Sequence, residues 1–146
     1  MDPTNPVTLL IPLIGIALVL GAVWLAGGTR PFRLDAATAR RRLGEDAPGF
    51  AAAELALDED GAGAIAAAND GPQLALLFVA GDKVGVRVLA AGDVRGIERQ
   101  PAASGERLSI ATSDFTLGRF ALRLPAEAAA LWSGRLTRLI AAARAA

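Results

Sequence analysis

Hydrophobic and polar positions along this chain follow three successive patterns. The first is continuous: Val7 to Ala26 reads VTLLIPLIGIALVLGAVWLA, with no charged residue. As an α-helix at ~1.5 Å per residue it is ~30 Å long, the thickness of a bilayer's hydrocarbon core. This predicts a transmembrane helix over residues 7–27 after a short tail at 1–6, anchored by Val7, Leu10, Leu13, Leu18 and Trp24. Trp24 stands near the far end, where an indole suits the headgroup region. Pro12 sits close to the start, where a helix tolerates it best. The tail has no basic residue, and bulky Val23, Trp24 and Leu25 spoil a small-x-small cleavage site. The segment therefore reads as an uncleaved anchor rather than a secretory signal.

The second pattern is helical and short. Residues 28–48 read as a juxtamembrane linker and a helix from Leu34 to Gly44, capped by Asp35 and ended by Gly44. Pro48-Gly49 then forces a turn. From residue 49 the period becomes that of strands. Phe50–Leu57 offers Phe50, Ala53, Leu55 and Leu57 to a core, and Ala62–Ala68 is an Ala-rich strand. Gln73–Val79 is apolar on both faces, which predicts a covered central strand. Ala80-Gly81-Asp82 makes a hairpin turn into Lys83–Leu89, where Val84, Val86 and Val88 point one way. Asp93–Arg99 follows with a bulge near Gly96. Glu106–Thr112 turns Leu108 and Ile110 inward, and Thr116–Leu124 turns Phe120, Leu122 and Leu124 inward.

The last pattern is helical again. Pro125 and Glu127 suit a first turn, and Ala128, Leu131, Trp132, Leu136, Leu139, Ile140 and Ala143 form one apolar stripe. Trp132 is the plug of the predicted core. The fold class is α+β: a membrane helix, a short helix, about seven antiparallel strands and a C-terminal amphipathic helix, with the β domain over residues 49–146.

Composition removes much chemistry. The chain has no His, Cys or Tyr, which excludes His- or Cys-based zinc sites, Cys nucleophiles, Ser-His-Asp triads and disulfide scaffolds. Asp58-Glu59-Asp60-Gly61 has the flavour of a calcium loop, but Gly61 comes too early and Ala62 and Ala64 stand where ligands belong, so a plain turn is expected. No glycine spacing matches a phosphate-binding loop. No cofactor, metal or catalytic residue is expected.

Charge places the chain and suggests surfaces. Only Asp2 precedes the apolar run, whereas Arg30, Arg33, Arg40, Arg41 and Arg42 follow it. The positive-inside rule then puts the N-terminus outside and residues 29–146 in the cytoplasm, and 33 Ala with 14 Arg against the single Lys83 suggest a GC-rich bacterial genome, hence an inner (plasma) membrane. Arg40–Arg42 can attract anionic lipid as well as fix topology. Further arginines, Arg87, Arg95, Arg99, Arg107, Arg119 and Arg123, fall on later strands and could face a lipid surface or an acidic partner. Nucleic acid is not expected, because no aromatic platform interleaves them. A small-molecule ligand is not expected either. Within the membrane run, Ala17 and Gly21 form a small-xxx-small pair suited to helix–helix contact, although a plain anchor can carry the same residues.

The stretches Asp93-Val-Arg-Gly-Ile-Glu, Glu106-Arg-Leu-Ser-Ile-Ala-Thr, Phe120-Ala-Leu-Arg-Leu and Ala130-Leu-Trp-Ser-Gly-Arg-Leu resemble bacterial pleckstrin-homology-like (PH-like) domains. The resemblance covers about a third of the chain, from Asp93 to Leu139, and rests on pattern. It implies a bent antiparallel barrel closed by the C-terminal helix, and a binding or scaffolding role. The expectation is a non-catalytic, membrane-anchored interaction module, an accessory, assembly or scaffold subunit of a larger inner-membrane complex. The alternative is a binder of anionic headgroups at the cytoplasmic leaflet.

Overall fold

The computed structural model describes residues 6–26 and 32–146. The chain divides into two compact units, one ending at Pro31 and one from Phe32 to Ala146.

The first unit holds α1, Pro6–Leu25. Its stretch Thr8–Leu25 has a mean hydropathy of 2.5, long and apolar enough to cross a membrane. Leu10, Leu13, Leu18 and Trp24 are all exposed along it, and Val7 lies in its first turn. Of the expected tail at residues 1–6, Pro6 already belongs to α1; residues 1–5, the end of the expected span at Gly27, and Arg30 lie outside the described residues.

The second unit contains α2 (Ala36–Asp46), β1 (Ala52–Leu57), β2 (Gly63–Ala68), β3 (Leu74–Ala80), β4 (Lys83–Leu89), β5 (Val94–Pro101), β6 (Glu106–Thr112), β7 (Arg119–Leu124) and α3 (Ala126–Ala145). The strands form two antiparallel meanders, sheet A in the order β1-β2-β3-β4 and sheet B in the order β5-β6-β7.

One core lies between the sheets. Ile65, Leu74, Leu76 and Leu89 come from sheet A, and Leu108, Ile110, Phe120, Leu122 and Leu124 from sheet B. From α3 come Ala129, Trp132, Leu136 and Leu139, with Trp132 only 2% exposed. The stripe on α3 differs in one place from the expected one. Leu131 is exposed and Ala129 is buried instead. A helix turns 100° per residue, so Leu131 falls on the shoulder of a stripe centred on Trp132 and Leu136.

A second core lies on the other face of sheet A. There Ala39 and Leu43 of α2, with Leu34 just before it, pack against Ala64, Ala66, Ala75, Leu77, Val84 and Phe50. Ala64, Ala66 and Ala75 are fully buried. Small side chains let the helix approach the sheet closely, which accounts for an Ala-rich strand of poor intrinsic propensity. By compactness α2 groups with the strands, in the unit from Phe32 to Ala146.

Two local details also differ. Helix α2 does not end at Gly44 but runs to Asp46. Pro48 sets the end, since the residue before a proline is pushed out of the α region, and Ala47 sits at φ −135, ψ 68. Ala53, expected in the core, is exposed. The β1–β2 register shifts between Ala52 and Glu54, and the bulged residue turns Ala53 outward. The bulge expected near Gly96 is present, between Val94 and Gly96.

Candidate functional site

Cross-strand partners share a face of a sheet. In sheet B, Ile97, Ile110 and Phe120 align, with Leu108 opposite Leu122 on the same face, toward the core. The other face is built from three rows: Gly96–Ala111–Arg119, Glu98–Ser109–Ala121 and Gln100–Arg107–Arg123. Neither hydrophobic core extends to that face, and only the β1–β2 turn reaches it, at its Arg123 edge, through Glu59 and Asp60. Its floor is small, made of Gly96, Ser109, Ala111 and Ala121, and its fence is charged.

The structure therefore sorts the strand arginines. It brings Arg107, Arg119 and Arg123 onto this open face. Arg119 lies 3.6 Å from Glu98, and Arg123 contacts Glu59 at 3.4 Å and also Asp60. Arg107 is exposed and makes no ion pair among the described residues. The other three go elsewhere. Arg99 turns to the opposite side of β5 and pairs with Glu106 at 2.7 Å. Arg95 is the exposed residue of the β5 bulge. Arg87 reaches from edge strand β4 to Asp114 in the β6–β7 turn. The face is thus mixed in sign, not a uniformly basic sheet. Exposed ion pairs of this kind contribute ~0–1 kcal/mol each, so they set register and partner preference more than stability.

Two features stitch sheet A to sheet B. At one end is the Arg87–Asp114 pair. Asp114 also accepts bonds from the Thr116 hydroxyl and N–H. These bonds first, and Arg87 second, hold its carboxyl below the ordinary carboxylate range. At the other end is the turn between β1 and β2. Asp58 is 8% exposed. Its Oδ2 accepts from the N–H of Asp60 (3.0 Å) and Ala62 (3.2 Å), and its Oδ1 from the N–H of Arg123 on β7 (2.6 Å). The Glu59 N–H donates to the Arg123 carbonyl, and the Ser104 hydroxyl donates to the Glu59 carboxylate at 2.7 Å. Gly61, at φ +71, takes a conformation that disfavours a side chain, and a Cβ there would lie 3.0 Å from that of Arg33. Arg33 itself donates from Nε to the Asp60 carbonyl at 3.1 Å, and the Leu34 N–H to the Gly61 carbonyl at 2.9 Å. The acidic run is a four-way junction of the domain. Asp58's oxygens face backbone donors, and no cluster of metal-ligating side chains occurs among the described residues.

On α2, Arg40 and Arg41 are exposed and in no ion pair among the described residues, while Arg42 pairs with Glu45 at 3.6 Å. On α1, Ala17 and Gly21 share a shallow groove with Ile14, Leu18, Ala22 and Leu25.

Two residues escaped the sequence reading. Arg135 on α3 lies over the Trp132 ring, 4.8 Å from its centroid, and reaches Glu54 on β1. Its i, i+3 spacing from Trp132 was the available signal. Phe115 stands fully exposed in the β6–β7 turn. The expected strand from Thr116 obscured it, for Asp114 to Leu117 form a turn and β7 starts at Arg119.

No family model matches the chain, and no curated protein or solved structure matches it.

Proposed function

We propose that this chain is a non-catalytic, membrane-tethered docking module: α1 spans the bacterial inner membrane with its N-terminus outside, and a PH-like cytoplasmic domain presents the open face of sheet B to another protein. In this role it is an accessory, assembly or scaffold subunit. The observation that carries the reading is that open face, floored by Gly96, Ser109, Ala111 and Ala121 and fenced by Arg107, Arg119, Arg123 and Glu98. Small floor residues leave room for a partner's side chains, and mixed charges at a rim select register and partner. Four strands, then three, then a closing helix support the PH-like reading. The arginines that follow α1 support the orientation.

The test is purification of the tagged full-length protein from native membranes in mild detergent, beside an Ala121→Arg variant. Ala121 is half-buried on the open face, in a hollow shared with Asp60, Arg107 and Arg123, and far-UV circular dichroism of the variant checks that its fold stands. The expected result is a stoichiometric protein companion held by the wild type and lost by the variant. A companion held equally by both contradicts the assignment of the face.

A second reading has its own observation. Arg40 and Arg41 lie exposed, next to each other and outside any ion pair among the described residues, a basic pair suited to anionic lipid at ~1 kcal/mol per residue. Flotation of residues 32–146 with phosphatidylserine vesicles tests it. Binding that weakens with salt and with Arg40→Ala/Arg41→Ala supports it, and salt-independent or absent binding removes it.

A further inference from the structure

The β6–β7 hairpin carries a knob in its turn and, on its strands four residues to either side, two walls of a hollow, Ala111 and Arg119. The knob is Phe115, 103% exposed. Its turn is held firmly: the Gly118 N–H donates to the Asp114 carbonyl at 2.8 Å, the Thr112 hydroxyl to the Gly118 carbonyl at 3.2 Å, and Asp114 takes the Thr116 N–H and hydroxyl. With the backbone of the turn already fixed, docking has only the side-chain torsions of Phe115 left to order. The hollow lies where β6 enters and β7 leaves that turn. It is lined by Gly96, Ile97, Glu98, Ser109, Ala111 and Arg119 and measures about 230 Å³. A cavity of about 150 Å³ already holds a benzene ring.

Gly96 points the same way. Its φ is not positive, and a Cβ built there would meet nothing nearer than the Ala111 side chain at 3.9 Å. The fold of one chain therefore admits a side chain at 96. Glycine in a strand interior marks a bulge, as it does between Val94 and Gly96, or a place where another group approaches closely, and the open space above Gly96 fits the second role as well. Here it keeps the hollow open.

We propose that the hollow receives Phe115 of a second copy of this chain, in a two-fold pair. This rests on the reading of sheet B's open face as a docking surface, and names the occupant of one end of it. A two-fold interface uses one patch twice, so the patch must carry both halves of each contact. This one does: phenyl knob with phenyl-sized hollow, and Glu98 beside Arg119 at the hollow's rim, so that each acid meets the other copy's arginine. The area sets the conditions. Three strands at ~4.8 Å and seven residues at ~3.3 Å give a face of ~14 by ~23 Å, roughly 650 Å² over both copies. That is about half of what a stable soluble dimer needs. The pair therefore depends on α1, which confines both copies to one membrane and adds the Ala17–Gly21 groove as a second contact.

The experiment uses the full chain in native membranes. One copy carries p-benzoylphenylalanine in place of Phe115; a second, differently tagged copy is either wild type or Gly96→Val. Irradiation is expected to join the two tags, with the cross-linked peptide falling within residues 94–101 or 106–112 of the receiving copy. Filling the hollow with Gly96→Val should lower the yield about 30-fold, the loss typical of one central aromatic anchor. Equal yield on the wild-type and Gly96→Val copies overturns the proposal. So does a Phe115 adduct made only with a different protein or only with lipid. In the different-protein case the docking-face reading survives and its occupant is corrected. If Ala121→Arg also leaves every companion in place, both fall.

Discussion

Sheet A has a cover on each face, α2 on one and the shared core on the other, whereas sheet B has a cover on one face only. Both contain strands with small side chains away from the shared core, and the small residues do different work. In sheet A, Ala64, Ala66 and Ala75 are fully buried, because a helix sits on them. In sheet B, Gly96, Ala111 and Ala121 hold the same kind of position, outside both cores and only half-buried. Small residues under a cover are packing. Small residues without one are room for something else.

The comparison can be broken at several places, and the largest effect belongs to the part the sheets share. Trp132 is buried between them. Trp132→Ala should cost about 3–5 kcal/mol and unfold both sheets in one transition, read by denaturant titration with far-UV circular dichroism. Two separate transitions would show the sheets to be independent.

Next comes the stitch at the β1–β2 turn. Asp58→Ala leaves three backbone N–H donors without their carboxylate, including that of Arg123 on β7. The expected cost is about 3 kcal/mol. Asp58→Asn, which keeps one acceptor oxygen, should recover part of it. Equal stability of Asp58→Ala and wild type would remove the junction from the account.

The same substitution on the two sheets gives a sharper contrast. Ala75→Leu overpacks the space under α2 and should cost about 1–3 kcal/mol. Ala121→Leu, on the open face, should stay within about 0.5 kcal/mol. Similar losses at both would mean that sheet B's face is covered too.

The smallest effect is one of pH, at the other stitch. Bonds from Thr116, aided by Arg87, lower the Asp114 carboxyl from its ordinary value. A group whose folded value is lowered contributes stability that is complete above its unfolded value and is lost as pH falls through the folded one. The contribution should therefore fade below about pH 4 and be missing from Asp114→Asn. Carbon-detected titration of the Asp114 carboxyl measures it. A value at or above the ordinary one would contradict the stitch.

Much of this fold was legible from periodicity. Alternation placed Leu108, Ile110, Phe120, Leu122 and Leu124 inward, the two-sided apolar run at Gln73–Val79 marked a covered strand, and the stripe on α3 found Trp132. Periodicity reports which residues share a face, but not what covers it. For that reason the packing of α2 on sheet A was not read, and the alanines beneath it read only as a weak strand. The Asp58 junction was hidden by distance along the chain, since its decisive partner, the Arg123 N–H, lies 65 residues away. The strand arginines were seen as one set. Their division between an open face, a sheet edge and a bulge depends on register, which composition does not contain. Phe115 was lost because a turn was read as the start of a strand.

The central claim is that the open face of sheet B is occupied at work and bare when alone. The chain has no cysteine, so single thiols can be placed at will. Ala121→Cys reports on the open face, and Ala141→Cys, exposed on α3, serves as the reference. Maleimide labelling of the full-length protein is measured in native membranes and again after purification in a detergent harsh enough to strip the companion that mild detergent retains. The account predicts that Ala121→Cys labels at least ~10-fold more slowly in membranes than when purified, while Ala141→Cys labels at similar rates in both. Equal rates for Ala121→Cys in the two settings would contradict it.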